Sequence, residues 1–269
     1  MLSVGGSMRI NLRSICFLCI AFSVFAASAK EPDWSAYSEL LQQYVKPDHK
    51  EYMDANFVDY GALKGNEKFS KLVEQIADFP LSDLETPEER MAFYLNGYNI
   101  LAIKMVVDNW PIVKLKSLGS FFKPVWTFDA GILCGERVTL RYLEHEILRK
   151  MGDPRIHMAL NCASMSCPDL RIEPYTASKL HLQLEDQSKK YLMQDNKGIT
   201  VEKDVIHLSS IFGWFEDDFE VVGGVEAFVR KHRQDLPEDI KFSADLPYNW
   251  NVNAILNRSE LKKALAKND

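Results

Sequence analysis

Three things are scarce in this sequence: apolar runs long enough to cross a bilayer, clustered positive charge, and cysteine. A spanning helix needs about 20 apolar residues, and the apolar run near the N-terminus, Ile15 to Phe25, is too short. Lysine and arginine number 32 against 38 acidic residues, giving a net charge of -6, and no basic run stands out. A nucleic-acid surface would need such a cluster, so that class of partner is disfavoured. Only five cysteines occur, and two of them, Cys16 and Cys19, lie inside the apolar run. Also absent are a G-x-S-x-G elbow, a phosphate-binding glycine loop, an H-E-x-x-H pair, internal repeats and low-complexity tracts. No cofactor is implied, and no metal site.

The N-terminus reads as a targeting segment. Arg9 and Arg13 precede the apolar run, which ends in Ala26-Ala27-Ser28-Ala29 with small residues placed for a cut after Ala29. A basic head, short apolar middle and A-x-A end describe a secretory signal peptide over residues 1–29. A periplasmic or secreted location follows as the expectation, with no integral membrane segment once the signal is removed. Loss of two arginines and no acid moves the charge from -6 to -8. The remainder, residues 30–269, suffices for one domain, and 46% hydrophobic with 26% charged residues is an ordinary globular composition. Cys134, Cys162 and Cys167 remain. An odd count in an oxidising compartment leaves at least one thiol unpaired within the chain.

Periodicity and capping signals place the elements. A first helix is expected over Trp34 to Val45, closed by Pro47. Asn66 is placed to cap a helix with the stripe Phe69, Leu72, Val73, Ile76. Thr86-Pro87-Glu88-Glu89 combines an N-cap, a proline at the first helical position and a capping-box glutamate. The helix it opens, about Glu88 to Asn109, is apolar on nearly every face and therefore buried. Asn96 and Asn99 share a face within it, as a structural network or part of a site wall. A hairpin is expected from Val125 through the piece after Gly131, then a helix from Leu140 to Met151. A strand is expected from Arg155 to Asn161, a helix from Ala177 to Met193 capped by Thr176, and a second hairpin at Ile199–Glu202 and Val205–Leu208. The sum is one α+β domain, helices packed around a small, mostly antiparallel sheet.

Chemistry concentrates near the two close cysteines, in RIHMALNCASMSCPDLR, residues 155 to 171. At 100° per residue, Leu140, Leu143, Ile147 and Met151 form the apolar stripe of their helix. Glu144 falls at its edge, and His145 points away with Tyr142 and Arg149. Strand alternation puts His157, Ala159 and Asn161 on one face and Cys162 on the other, unless the turn after Asn161 re-aims it. Three readings compete for Cys162 and Cys167. Cys162 can be a nucleophile served by His157 or His145 as base. The two cysteines can be a disulfide stiffening the turn. Joined by histidines they can bind zinc, although no second close Cys/His pair follows.

Several blocks together resemble one known family: Val58-Asp59-Tyr60, the run Ala92 to Asn99, Leu143 to Arg149, Asp153 to Cys162 with Ser166-Cys167-Pro168, Ile211 to Phe215 with Asp218-Phe219, and Tyr248 to Asn251. They are similar to the domain-of-unknown-function family DUF547, in an exported bacterial form. The resemblance marks Asn96, Asn99, Glu144, His145, Arg149, Arg155, His157, Asn161, Cys162, Cys167, Trp214 and Asp218 as signature positions, and leaves Cys134 outside. A block holding both Glu-His and Asn-Cys resembles a thiol hydrolase. Some members join the domain to glutaredoxin-like modules. The resulting expectation is a cysteine-dependent hydrolase or acyl transferase. In it Cys162 attacks, His145 or His157 is the base, Glu144 orients, and Asn161 or turn amides stabilise an oxyanion. Asn96, Asn99, Arg149, Arg155, Cys167, Trp214 and Asp218 would form its walls. A thiol-disulfide pair of Cys162 and Cys167, or a non-catalytic periplasmic binding module, are the alternatives. The substrate class stays open among small molecule, peptide and glycan.

Overall fold

The computed structural model describes residues 31–50 and 52–267; the expected signal segment, residues 1–29, lies outside them. Helix α1 (Ser35–Tyr44) leads into an antiparallel hairpin of β1 (Val45–Lys50) and β2 (Met53–Val58). A short α2 (Tyr60–Leu63) is capped by Asp59, and α3 (Glu67–Asp78) by the Asn66 side chain, which accepts from Phe69 N–H. The long helix α4 (Pro87–Asp108) begins at the expected capping box, with Thr86 and Glu89 satisfying each other's backbone N–H groups. Such a cap stabilises a helix by about 1 kcal/mol. Sixteen of its residues are buried, so its stability comes from packing on all sides. Gly97 sits where Leu133 crosses, and a Cβ there would meet the leucine Cδ1 at 3.0 Å.

The second hairpin pairs β3 (Asp129–Leu133) with β4 (Glu136–Thr139). It feeds α5 (Leu140–Tyr142), which continues as a π-helical turn (Leu143–Leu148) and a 3-10 turn (Arg149–Met151). Helix α6 (Leu180–Met193) is followed by the antiparallel pair β5 (Ile199–Glu202) and β6 (Val205–Ser209). Helices α7 (Ser210–Trp214) and α8 (Gly224–His232) come next. Strand β7 (Lys241–Leu246) then joins β6 in parallel, and α9 (Arg258–Leu265) ends the described chain. The domain is α+β, 51% helical and 17% strand. Its strands fall into three small sheets rather than one. No helix among the described residues is long and apolar enough to cross a membrane.

Among the described residues two main apolar cores result, beside a small third cluster of Met53, Ala55, Phe57 and Met165. The larger is built on α1, α3 and α4 and includes Leu160; the smaller joins Met158, Tyr191, Ile206, Ile211, Phe212, Phe219 and Phe228. The cysteine segment crosses between them.

Three local expectations need correction. Arg155 to Asn161 is not a strand: Pro154–Met158 is a 3-10 helix, capped by Asp153 Oδ1 accepting from Arg155 N–H. Asp-Pro is a helix-start signal, and it outweighs the short alternation of apolar residues. The assignment of Cys162 to an apolar strand face lapses with the strand. Val125–Thr127 is likewise a 3-10 turn after Pro124. Thr176 makes no side-chain cap; its N–H donates to Gln183 instead.

Candidate functional site

The segment from Cys162 to Cys167 is a tight loop held at both ends. Asn99 of α4 reaches it from below, Nδ2 donating to Ala159 C=O at 3.1 Å and Oδ1 accepting from Asn161 N–H at 2.9 Å. Asn96, one turn earlier, clamps both backbone groups of Tyr175. Both amides are therefore fully used as clamps, and neither lines the cleft. Asn161 staples the loop base: its Nδ2 donates to Pro168 C=O at 2.7 Å and its Oδ1 accepts from Ala163 N–H at 3.0 Å. Ala163 adopts φ +63°, a left-handed conformation that costs a non-glycine residue about 1 kcal/mol or more. That reversal, directly after Cys162, turns the chain back so that Cys167 meets it.

The C-terminal segment closes the loop from above. Met165 N–H donates to Asn251 C=O, Ser166 N–H to Asn249 C=O, and Asn253 N–H to Ala163 C=O. This zipper brings Tyr248 and Trp250 over the sulfurs. Cys162 Sγ and Cys167 Sγ lie 2.6 Å apart. Cys167 Sγ also accepts from Cys162 N–H at 3.1 Å and Tyr248 O–H at 3.2 Å, while Cys162 Sγ contacts Ser164 Oγ at 3.2 Å. Cys167 is buried, whereas Cys162 is half-buried and opens to the cleft.

The two thiols titrate as a pair. The shared bond to Cys167, then burial, raises Cys162 well above the usual thiol value. Burial alone would raise Cys167 too, but donors from Cys162, Tyr248 and the backbone outweigh it and hold Cys167 below the usual value. Negative charge thus resides on the inner sulfur and the proton on the outer one.

The cleft, about 150 Å³, is lined by both sulfurs, Glu144, His145, His157 and an aromatic set of Trp126, Trp214, Phe215, Tyr248 and Trp250. Trp214 and Trp250 stack at 5.5 Å between centroids. Glu144 and His145 both reach it because their helix is π-helical at Leu143–Leu148. The wider turn rotates side chains away from the 100° spacing, and such turns are frequent at functional sites. The Glu144 carboxylate takes part in no side-chain hydrogen bond among the described residues, and burial pushes it up to about 7, with the nearby Cys167 adding to the shift.

The histidines are committed elsewhere. His157 Nε2 bonds to Asp218 Oδ2 at 2.7 Å, and its ring stacks on Phe215 at 4.1 Å. Arg149 grips the same carboxylate through Nε at 2.6 Å and Nη2 at 2.8 Å. Burial works to raise Asp218, but His157 and Arg149 prevail and hold it well below the usual carboxylate range. Burial lowers His157 despite Asp218. Arg149 Nη1 donates to His145 Nδ1 at 2.9 Å, so the proton of neutral His145 sits on Nε2. Burial, with Arg149 and Arg141, lowers His145 as well. Neither imidazole hydrogen-bonds to a sulfur. Arg155 is turned away, paired with Asp153.

Among the expected site residues, the cleft thus unites Cys162, Cys167, Glu144, His145, His157 and Trp214. Arg149 and Asp218 form a part-buried ion pair with His157 beside it, and Asn96, Asn99 and Asn161 hold the frame. Sequence reasoning missed Tyr98, Trp126, Tyr248 and Trp250 as cleft lining. The aromatic density of Leu246-Pro247-Tyr248-Asn249-Trp250 was the available signal for the last two. Among the described residues no group of three or more His, Cys, Asp or Glu side chains converges as metal ligands would.

No curated protein and no solved structure matches the chain. Residues 81–192, a span holding α4, Glu144, His145 and both cysteines of the pair, match the model of the family described as protein of unknown function, DUF547, and the match supports a likeness of that segment to the family.

Proposed function

We propose that the cleft carries out dithiol–disulfide exchange, with Cys162 as the sulfur that meets the substrate and Cys167 as its buried partner. The observation that carries this reading is the 2.6 Å approach of two sulfurs that bond to each other, to Tyr248 and to Ser164, but to no imidazole. Closing to a bonded pair of about 2.05 Å asks for a shift of about half an ångström within a clamped loop. The expected export of the chain, into an oxidising compartment, belongs to the same proposal.

In the oxidised state a substrate thiolate attacks Cys162 Sγ. The new S–S bond forms as the Cys162–Cys167 bond breaks, and the electron pair leaves on Cys167. Departure is fast when the leaving thiol has a low pKa, and Cys162 N–H with Tyr248 O–H supplies that stabilisation. A second substrate thiolate attacks the substrate sulfur of the mixed disulfide and releases Cys162. Two electrons have then passed from a substrate dithiol to the protein pair. Of the two substrate protons, one ends on Cys162 and one passes to water. Glu144, with its carboxyl at about 7 in the same cleft, relays them. A small or protein-borne disulfide restores the oxidised pair, and the same steps in reverse reduce a substrate disulfide.

The hydrolase reading has less support. Cys162 lacks a hydrogen-bonded base, Asn161 spends its amide on the loop, and Arg149 occupies the lone pair of His145. A Cys167→Ser variant tests the choice. Incubated with a small dithiol and a disulfide oxidant, it is expected to accumulate a mixed disulfide on Cys162, seen by mass spectrometry. Retained turnover of an activated ester by Cys167→Ser, with acyl label on Cys162, would instead establish the hydrolase. An unreactive Cys162 in both assays would leave the aromatic cleft as a binding module.

A further inference from the structure

The stretch from Asn109 to Phe128 contains three lysines and no acid, in a chain whose net charge is -6. At its tip Phe121 and Phe122 are 92% and 93% exposed, edge to face at 5.5 Å. Apolar rings are rarely left so bare without a use. This tip is a built turn: Ser120 N–H donates to Lys123 C=O at 2.9 Å, and Lys123 N–H to Ser120 Oγ at 3.1 Å. Gly119 permits the closure, since a Cβ there would meet Val125 N at 2.4 Å. The base is anchored as well, with Val252 N–H donating to Val113 C=O at 2.7 Å. Lys114, Lys116 and Lys123, on the same stretch as the two rings, are all exposed.

We infer that this turn docks the protein on an anionic lipid bilayer, with Phe121 and Phe122 inserted among the acyl chains and the lysines against the headgroups. Two bare aromatic rings on a built turn, in a stretch with three exposed cations and no acid on an otherwise acidic molecule, match an apolar layer under a negative surface. The same loop carries Trp126, and Lys116 Nζ lies 4.2 Å over the Trp250 ring, so its base is a wall of the cleft. Docking would therefore hold the mouth of the cleft near the membrane surface. The inference does not depend on the chemistry assigned to the cysteines.

Flotation of the chain from Lys30 to Asp269, without the apolar run Ile15 to Phe25, tests it with vesicles. With phosphatidylcholine vesicles containing phosphatidylglycerol at low salt, the protein is expected to float. Binding should fall about tenfold for each ring removed in Phe121→Ala and Phe122→Ala, and fall in Lys114→Ser, in Lys123→Ser, and at raised salt. None of these residues lines the cleft, so thiol exchange in solution should be unchanged. Absence of flotation, or flotation indifferent to both phenylalanine variants, would overturn the proposal. So would a lipid-free dimer that the same variants dissociate, since the rings would then face a second copy of the chain.

Discussion

Replacing Glu144 with glutamine should make the reduced protein more stable at alkaline pH, although it alters the centre of the cleft. An isolated carboxyl has a pKa near 4.5, and burial with the neighbouring Cys167 charge pushes Glu144 up to about 7. Every tenfold gain in proton affinity is worth about 1.4 kcal/mol, so ionising this group in the folded protein carries a penalty of about 3 kcal/mol. The folded state holds the proton more tightly than the unfolded state. Stability is therefore unaffected below the unfolded value and is lost as pH rises from about 4.5 through about 7. Glutamine has the same shape and no ionisation. The stability of Glu144→Gln relative to the unmodified chain should thus rise by about 2–3 kcal/mol between pH 5 and pH 8.5. Urea unfolding at the two pH values, with a phosphine reductant present, measures the difference. A gap that stays constant within about 0.5 kcal/mol, or shrinks with rising pH, would refute the placement of an unpaired carboxyl in this cleft.

Other consequences are more local. Tyr248→Phe removes one donor from Cys167 Sγ, so the thiolate absorbance of the reduced pair should develop about one pH unit later; an unchanged titration would detach Tyr248 from the pair. Asn99→Ala leaves Ala159 C=O and Asn161 N–H without partners in the interior. It should cost about 2–4 kcal/mol in chemical denaturation and slow disulfide closure between Cys162 and Cys167. Asp218→Asn strips Arg149 and His157 of their shared carboxylate. It should cost about 3 kcal/mol near neutral pH. Because the Asp218 value is depressed, that contribution is present above about 4 and fades as the pH falls further. The gap between the unfolding curves of Asp218→Asn and the unmodified chain should therefore narrow by about 1 kcal/mol between pH 7 and pH 3 without closing, because the folded carboxylate is still ionised at pH 3.

How much of this was legible in the sequence depends on the range of the interaction that decides each element. Helix α4 was plain, because Thr86, Pro87 and Glu89 carry its start and its all-round apolar residues carry its burial. The hairpin at Ile199–Glu202 and Val205–Ser209 was equally local. The turn of helix bearing Glu144 and His145 was not. A spacing of 100° assumes α-helical geometry, and the π-helical stretch Leu143–Leu148 breaks that assumption, which brings both residues to the cleft together. The roles of Asn96 and Asn99 were open in sequence because a buried amide demands a partner without naming it. Their partners, Tyr175, Ala159 and Asn161, are 60 to 79 residues away. Tyr248 lies 81 residues beyond Cys167. No local periodicity predicts that approach; it follows from the backbone zipper between the cysteine loop and residues 249–253.

The most direct measurement is the equilibrium of Cys162 and Cys167 across a series of glutathione redox buffers, read by alkylation and mass spectrometry. A reversible, all-or-none conversion between one dithiol and one intramolecular disulfide, leaving Cys134 unaffected, is the predicted result. Independent alkylation of Cys162 and Cys167 throughout the series, with no disulfide between them even under the most oxidising conditions, would contradict it.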